Sequence, residues 1–218
     1  LLIAWLQELK APLAVCNEIL LQAGYAPAYT ATQLDDPMLA QVNFALQQLI
    51  DAHDPLPALV IDAQWNLLRL NRGGQWLIDV LTPEAADRSQ TEPINLLDFL
   101  IHPEGLSKSI VNLQEVGPVF LANLRHEASA QPELSPKADA FAALLDIRLD
   151  KQRSQTNGAI APAPILTTRY ATKHGELAFF SMFTTFGTPQ DITLASLRVE
   201  HMFAADAETQ AVVKEQFR

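Results

Sequence analysis

Leu2, Leu6 and Leu9 fall at helical spacing, and Leu13, Cys16, Ile19, Leu20 and Ala23 continue a second apolar stripe. Residues 1–30 are therefore predicted to form two short helices. Pro12 suits the first turn of the second, and Gly24, with Pro27 beyond it, stops it. Helices this short cannot bury a core alone and need a partner or more chain upstream. Asp35 or Asp36 then offers an N-cap ahead of Pro37. Leu39, Val42, Leu46, Leu49 and Ile50 line one face of a helix ending near His53-Asp54-Pro55. Gln41, Gln47, Gln48 and Asp51 occupy its other face, so this helix is amphipathic and covers something.

The period then changes. Residues 58–62 form a short apolar run, separated by Ala63-Gln64-Trp65 from residues 66–71, and the pair predicts a hairpin. From Arg72 to about Ala130 the spacing is helical in pieces: 76–81, 96–100 and 110–128. Pro83, Pro93 and His102-Pro103-Glu104-Gly105 break it, and Gly117-Pro118 is predicted to kink or split the longest piece. A further short helix is predicted over 136–145 and an exposed loop over 150–164. Three strands follow, at 165–172, 176–186 and 193–203, joined by turns at Lys173-His174-Gly175 and around Gly187, Pro189 and Asp191. The tail from Ala207 is helical or frayed. Helix, two strands, a group of small helices and a three-stranded meander is the element order of a PAS-type sensor domain. The fold class is therefore α+β: a PAS-like five-stranded antiparallel sheet whose helical insert encloses a pocket.

The strand at 176–186 is apolar on both faces, with Leu177, Phe179 and Phe183 on one and Ala178, Phe180, Met182 and Phe186 on the other. Both faces therefore want cover. The insert can supply one cover; the helix at 36–52, or a second subunit, can supply the other. On the last strand His201 shares a face with Ala195, Leu197, Val199 and Phe203, against Ser196, Arg198, Glu200 and Met202. A histidine in that setting reads first as a hydrogen-bonded core residue and second as a ligand contact. Trp76, Phe99, Asn112, Phe120, Leu124, Arg125, Phe180, Met182 and His201 form the candidate set for ligand contact. Asn112 and Arg125 would supply polar groups to a ligand head. Each has a plainer reading, as a capping or helix-surface residue, and Asn71 reads as an N-cap. Trp65 and Trp76 read as packing anchors.

Composition narrows the function classes. Among 218 residues, 49% are hydrophobic and 18% charged, which is ample for a core. No run approaches the ~18 apolar residues that span a membrane. One cysteine, Cys16, excludes an internal disulfide and fits a reducing cytoplasm. The net charge of -10 argues against broad capture of nucleic acid by this chain, and only Lys10 is basic before Arg69. Phosphate-loop, nucleophile-elbow and His-Glu-x-x-His patterns are absent, and Gly73-Gly74 lacks the third glycine and the lysine. No catalytic, metal or cofactor site is expected.

A series of segments resembles one family. Asn17-Glu18-Ile19-Leu20-Leu21-Gln22-Ala23-Gly24-Tyr25 is similar to the end of a helix-turn-helix domain of the XRE, lambda-repressor-like class. Pro57-Ala58-Leu59-Val60-Ile61-Asp62, Asn95-Leu96-Leu97, His102-Pro103-Glu104-Gly105-Leu106 and Ile110-Val111-Asn112-Leu113 resemble the MmyB-like regulator ligand-binding domain. So do Gly175-Glu176-Leu177-Ala178-Phe179-Phe180-Ser181 and Phe186-Gly187-Thr188-Pro189-Gln190-Asp191-Ile192. Gly117-Pro118 departs from the uninterrupted helix expected in relatives. The resemblance implies a bacterial transcription regulator with residues 1–30 as the last helices of a truncated DNA-reading domain and 31–218 as the PAS-like ligand-binding domain. DNA would be read by a region upstream of Leu1. The ligand would be small and apolar, a fatty-acyl chain among the options, and the protein a cytoplasmic homodimer with no membrane segment. The alternative is chiefly a dimerisation module with a filled core, and an unrecognised hydrolase or lyase ranks third.

Overall fold

The structure, a computed structural model, describes residues 1–82, 94–150 and 164–218. The loop expected over 150–164 lies, apart from its two ends, outside the described residues, as do the breakers at Pro83 and Pro93.

Helices α1 (Leu2–Glu8) and α2 (Leu13–Gln22) pack on each other, and Leu6, Cys16 and Leu20 are their buried residues. Gly24, at φ +80, ends α2: the Tyr25 amide returns to the Leu20 carbonyl at 2.8 Å, a closure that favours glycine. Trp5, Leu9, Leu21 and Tyr25 stay exposed, so this pair leaves apolar surface open. The following strap is tied down twice. Asn17 holds the Tyr29 backbone from α2, donating to its carbonyl and accepting from its amide. Asp191 Oδ2 accepts from the hydroxyls of Thr30 and Thr32 and from the Thr32 amide, at 2.7–3.0 Å.

Asp36 caps the turn that begins at Pro37, as its spacing predicts, and leads into α3 (Ala40–Asp51). The sheet comprises β1 (Ala58–Ile61), β2 (Leu67–Leu70), β3 (Thr168–Thr172), β4 (Gly175–Thr185) and β5 (Arg198–Ala204). The order is β2-β1-β5-β4-β3 with every pairing antiparallel. Helix α3 covers one face. Leu46 and Ile50 close on Ala58, Val60, Leu197 and Val199 in one buried aliphatic cluster. The insert, α4 (Arg72–Leu81), α5 (Leu96–Ile101), α6 (Leu113–Ala130) and α7 (Ser135–Asp150), arches over the other face. Helix α9 (Ala207–Gln216) closes one end of that arch, with Val213 against Leu177 and Phe179.

Asn71 does more than cap α4. Its Oδ1 accepts from the Gly74 and Ala58 amides, and its Nδ2 donates to the Ile50 and Leu56 carbonyls, all at 2.8–3.1 Å. One buried amide thus joins the end of α3, the start of β1 and the start of α4. Gly73 serves close packing: a Cβ there would lie 2.3 Å from the Pro55 carbonyl oxygen.

Several expectations need correction. Residues 193–196 are not strand but α8 (Ile192–Ser196), because Asp191 Oδ1 accepts from the Thr193 and Leu194 amides and starts a helix. Gly117-Pro118 does not split α6. Pro118 sits in the second turn, where its missing N–H costs one backbone bond, and Gly117 admits Leu145 of α7, whose Cδ2 would lie 2.6 Å from an added Cβ. Helix α7 runs beyond Leu145 to Asp150, with Ala138, Phe141 and Leu145 as its buried stripe. Strand β4 is covered only in its first half: Leu177, Ala178 and Phe179 are buried, and everything from Ser181 to Thr185 is exposed.

Candidate ligand-binding cavity

Between the sheet and the insert lies a cavity of about 200 Å³. The sheet contributes Leu59, Tyr170, Phe179 and Met202 to its wall. The insert contributes Leu77, Ile78, Phe99, Leu100, Leu106, Leu113, Val116, Phe120 and Phe141. An apolar void of roughly 150 Å³ holds benzene, so this one suits a single ring or a short alkyl chain.

Polar ties anchor the roof at its margins. Trp65, in the β1–β2 turn at φ 66, lines the cavity and donates from Nε1 to Glu127 of α6 at 3.0 Å. Arg198 stacks on its ring, 4.2 Å from the centroid, and grips Glu127 with two bonds of 2.8 and 3.1 Å. Asn95, the cap of α5, donates to the hairpin turn at Gln64 and Asn66 and accepts from Lys137 of α7. On the far side Asn112 donates to the Thr167 carbonyl and accepts from the Arg169 amide, tying the start of α6 to β3.

Thr168, Ser181, Tyr170 and Glu200 supply the cavity's polar side-chain groups. Ser181 Oγ donates to Glu200 Oε1 at 2.6 Å. Burial pushes the Glu200 carboxyl above its ordinary range, although the Ser181 bond and Arg198 pull the other way. Burial and the Glu200 charge likewise push the Tyr170 phenol upward, against a hydrogen bond with Thr168. These groups share one region of the wall.

Of the nine residues proposed from sequence for ligand contact, Phe99 and Phe120 stand on the cavity wall. The other seven do not. Phe180, Met182 and His201 lie on the opposite face of the sheet. Phe180 stacks on Phe203 at 5.4 Å, and His201 meets the edge of His53 at 4.9 Å. Alternation decides this: Glu200 and Met202 point into the cavity, so His201 between them cannot. Trp76 packs beside His174 and Phe217. Leu124 is buried among Ile61, Trp65 and Leu97, Asn112 is consumed by backbone ties, and Arg125 is exposed. Sequence reasoning missed Glu200, Ser181 and Tyr170. The available signal was one acid between Val199 and His201 on a strand with no fully wet face.

Among the described residues no group of three or more His, Cys, Asp or Glu side chains could hold a metal ion. None of the described helices is long and apolar enough to cross a membrane.

A 2-1-5-4-3 antiparallel sheet arched by helices over an apolar cavity defines a PAS-like ligand-binding fold. The chain belongs to the MmyB-like transcription regulator ligand binding domain family, whose family model matches residues 42–215. Among solved structures, the PAS domain of an HTR-like protein from Haloarcula marismortui is similar at 9% identity and a TM-score of 0.31. That match covers 77% of this chain and 94% of that one. Comparison with curated proteins found no match.

Proposed function

We propose that this chain is the sensing part of a bacterial DNA-binding transcription regulator. A small apolar ligand, a compact ring or a short alkyl or acyl chain, enters the cavity and shifts the balance between two arrangements of the protein. The cavity itself carries this reading: about 200 Å³ walled by aliphatic and aromatic side chains. The route outward runs along β5 to α8 and from Asp191 to Thr30 and Thr32, next to the N-terminal helices. DNA contact falls to a helix-turn-helix segment ahead of Leu1, which suits the apolar surface that Trp5, Leu9 and Leu21 leave open. Protein taken directly from cells should release a small molecule on solvent extraction and native mass spectrometry. Short-chain alkanols should raise its melting temperature. Val116→Phe, which fills the cavity, should remove both effects; if the wild type shows neither, the reading falls.

A second reading, dimerisation through the outer face of β4, is favoured by one observation. Met182 is 59% exposed and Phe44 of α3 65%, and every residue of β4 from Ser181 to Thr185 is exposed. Light scattering tests it: a monomer at micromolar concentration, unchanged by Met182→Asp, excludes it.

A further inference from the structure

The ladder between β1 and β5 lacks one bond at its end, and a histidine supplies it. Met202 donates from its amide to the Pro57 carbonyl at 2.9 Å, an arrangement in which the facing residue normally returns a bond of its own. Pro57 has no N–H to return. His53, in the turn after α3, donates instead from Nε2 to the Met202 carbonyl at 2.9 Å. A carbonyl only accepts, so this bond keeps a proton on Nε2 and, in the neutral ring, leaves Nδ1 bare. The same ring meets His201 and Phe203 on the outer face of β5 edge to face, each with centroids 4.9 Å away. His201 is 9% exposed and is paired with Ala58 of β1 on one side and Met182 of β4 on the other. Burial, with the His53 ring beside it, holds the His201 imidazole below its ordinary range.

We propose that His53 and His201 form an acid-sensitive latch. With His201 neutral, His53 stays on the Met202 carbonyl and pins the end of α3 to the sheet; a proton on His201 releases that end. The latch needs no ligand and stands apart from the cavity reading. An imidazolium at His201 must regain the water it loses on burial, and it does so by displacing the ring packed on it. Once His53 is protonated as well, two cations face each other at 4.9 Å. Among the described residues, the charged groups on the elements packed here have other contacts. Asp51 accepts from Gln47, Asp54 from the Gly73 amide, and Arg69 bonds to Asn43. Arg72 lies over the Phe217 ring, and Glu200 faces the cavity beside Ser181. The released element matters because α3 follows the strap that Asp191 anchors, between the sheet and the N-terminal helices. His201 takes a proton more readily once the latch is open. Closure is therefore full above about 6.5, the ordinary histidine value, and weakens as pH falls from there through the lower folded value.

Two measurements on the whole chain test the latch. In an NMR titration of the histidine ring signals, His201 should show a midpoint below about 6.5. His53→Gln, whose side-chain amide can still donate to Met202, should move that midpoint upward. Amide hydrogen exchange, corrected for intrinsic rates, then reads the opening itself. Between about pH 7.5 and 5.5 the last turn of α3, residues 48–52, should lose about tenfold in protection, the effect of one proton whose pKa shifts by about one unit, while α6 loses less than about threefold. His201→Gln, neutral across this range, should abolish the loss in α3. Should that variant fold poorly, His53→Gln carries the exchange test and should reduce the loss without abolishing it. A His201 midpoint at or above about 6.5 overturns the latch, as does a loss in α3 that the variants retain in full. Equal losses in α3 and α6 overturn it too, because the opening would then be global.

Discussion

The two faces of this sheet are covered by helices in different ways. On the α3 side, Ile50 and Leu46 join Ala58, Val60, Leu197 and Val199 in one buried aliphatic cluster. On the insert side the sheet presents Tyr170, Phe179 and Met202, and the helices answer with Phe99, Phe120 and Phe141. Large rings meeting large rings hold the roof at a distance. Its margins are pinned by Trp65 to Glu127, Asn95 to Asn66 and Asn112 to Thr167. Aliphatic side chains form the buried layer beneath α3; rings on sheet and insert, under a tied roof, border the chamber.

That contrast can be broken at the seam. Asn71 bonds to both layers, and Asn71→Ala would leave two amides and the Leu56 carbonyl to find new partners, while the Ile50 carbonyl keeps its bond from the His53 amide. At about 1–3 kcal/mol for each group left unpaired, a loss of about 4 kcal/mol or more in urea unfolding is expected, the largest here. Next, the faces should differ in their response to volume. Ile50→Ala empties the closed layer and should cost about 2–5 kcal/mol. Val116→Phe, across the sheet, should cost less than Ile50→Ala while abolishing ligand-induced stabilisation. Equal losses would mean the chamber is as tightly filled as the α3 layer.

Smaller effects sharpen the picture. Burial pushes Asp191 up, but bonds from Thr30, Thr32 and the Leu194 amide outweigh it, so its carboxyl sits below the usual range. A depressed folded pKa contributes stability above the unfolded value of about 3.9, lost as pH falls through the folded one. The melting-temperature gap between wild type and Asp191→Asn should therefore be full at neutral pH and close on acidification below about 4. A gap that does not change with pH would place the effect in geometry alone. Met182→Ser, on the open half of β4, should change monomer stability by no more than about 0.5 kcal/mol. A larger loss, dependent on protein concentration, would reveal a second copy covering that strand.

Much of the architecture was legible in the sequence because single residues commit the backbone locally. Asp36-Pro37 opens α3, Gly24 closes α2 and Asn71 starts α4, each by satisfying amides or carbonyls that a helix end leaves free. The same chemistry explains a miss. Ile192-Thr193-Leu194 looks extended by propensity, yet Asp191 ahead of it caps a helix, and the cap won. Site residues were harder. Strand periodicity separates two faces without saying which one the insert will cover, and β4 is apolar on both. Phe180 and Met182 were thus assigned to the wrong side, whereas Phe99 and Phe120, on helices that face inward by any reading, were placed on the wall. The Glu200–Ser181 pair depends on β5 lying beside β4, a neighbour relation set by the whole topology.

The Asp191 carboxylate has a mechanical consequence. One oxygen belongs to the helix that launches β5; the other belongs to the strap leading back to α2. The strand and the strap therefore share a pivot only a few ångströms across, so a twist of the strand acts on the strap as torque with little slack. A few degrees of rotation beneath the ligand would emerge at the far ends of the N-terminal helices as a displacement magnified by their length. Loosening that pivot, by shortening or deleting its threonines, should leave ligand affinity intact and cut the linkage to whatever those helices carry.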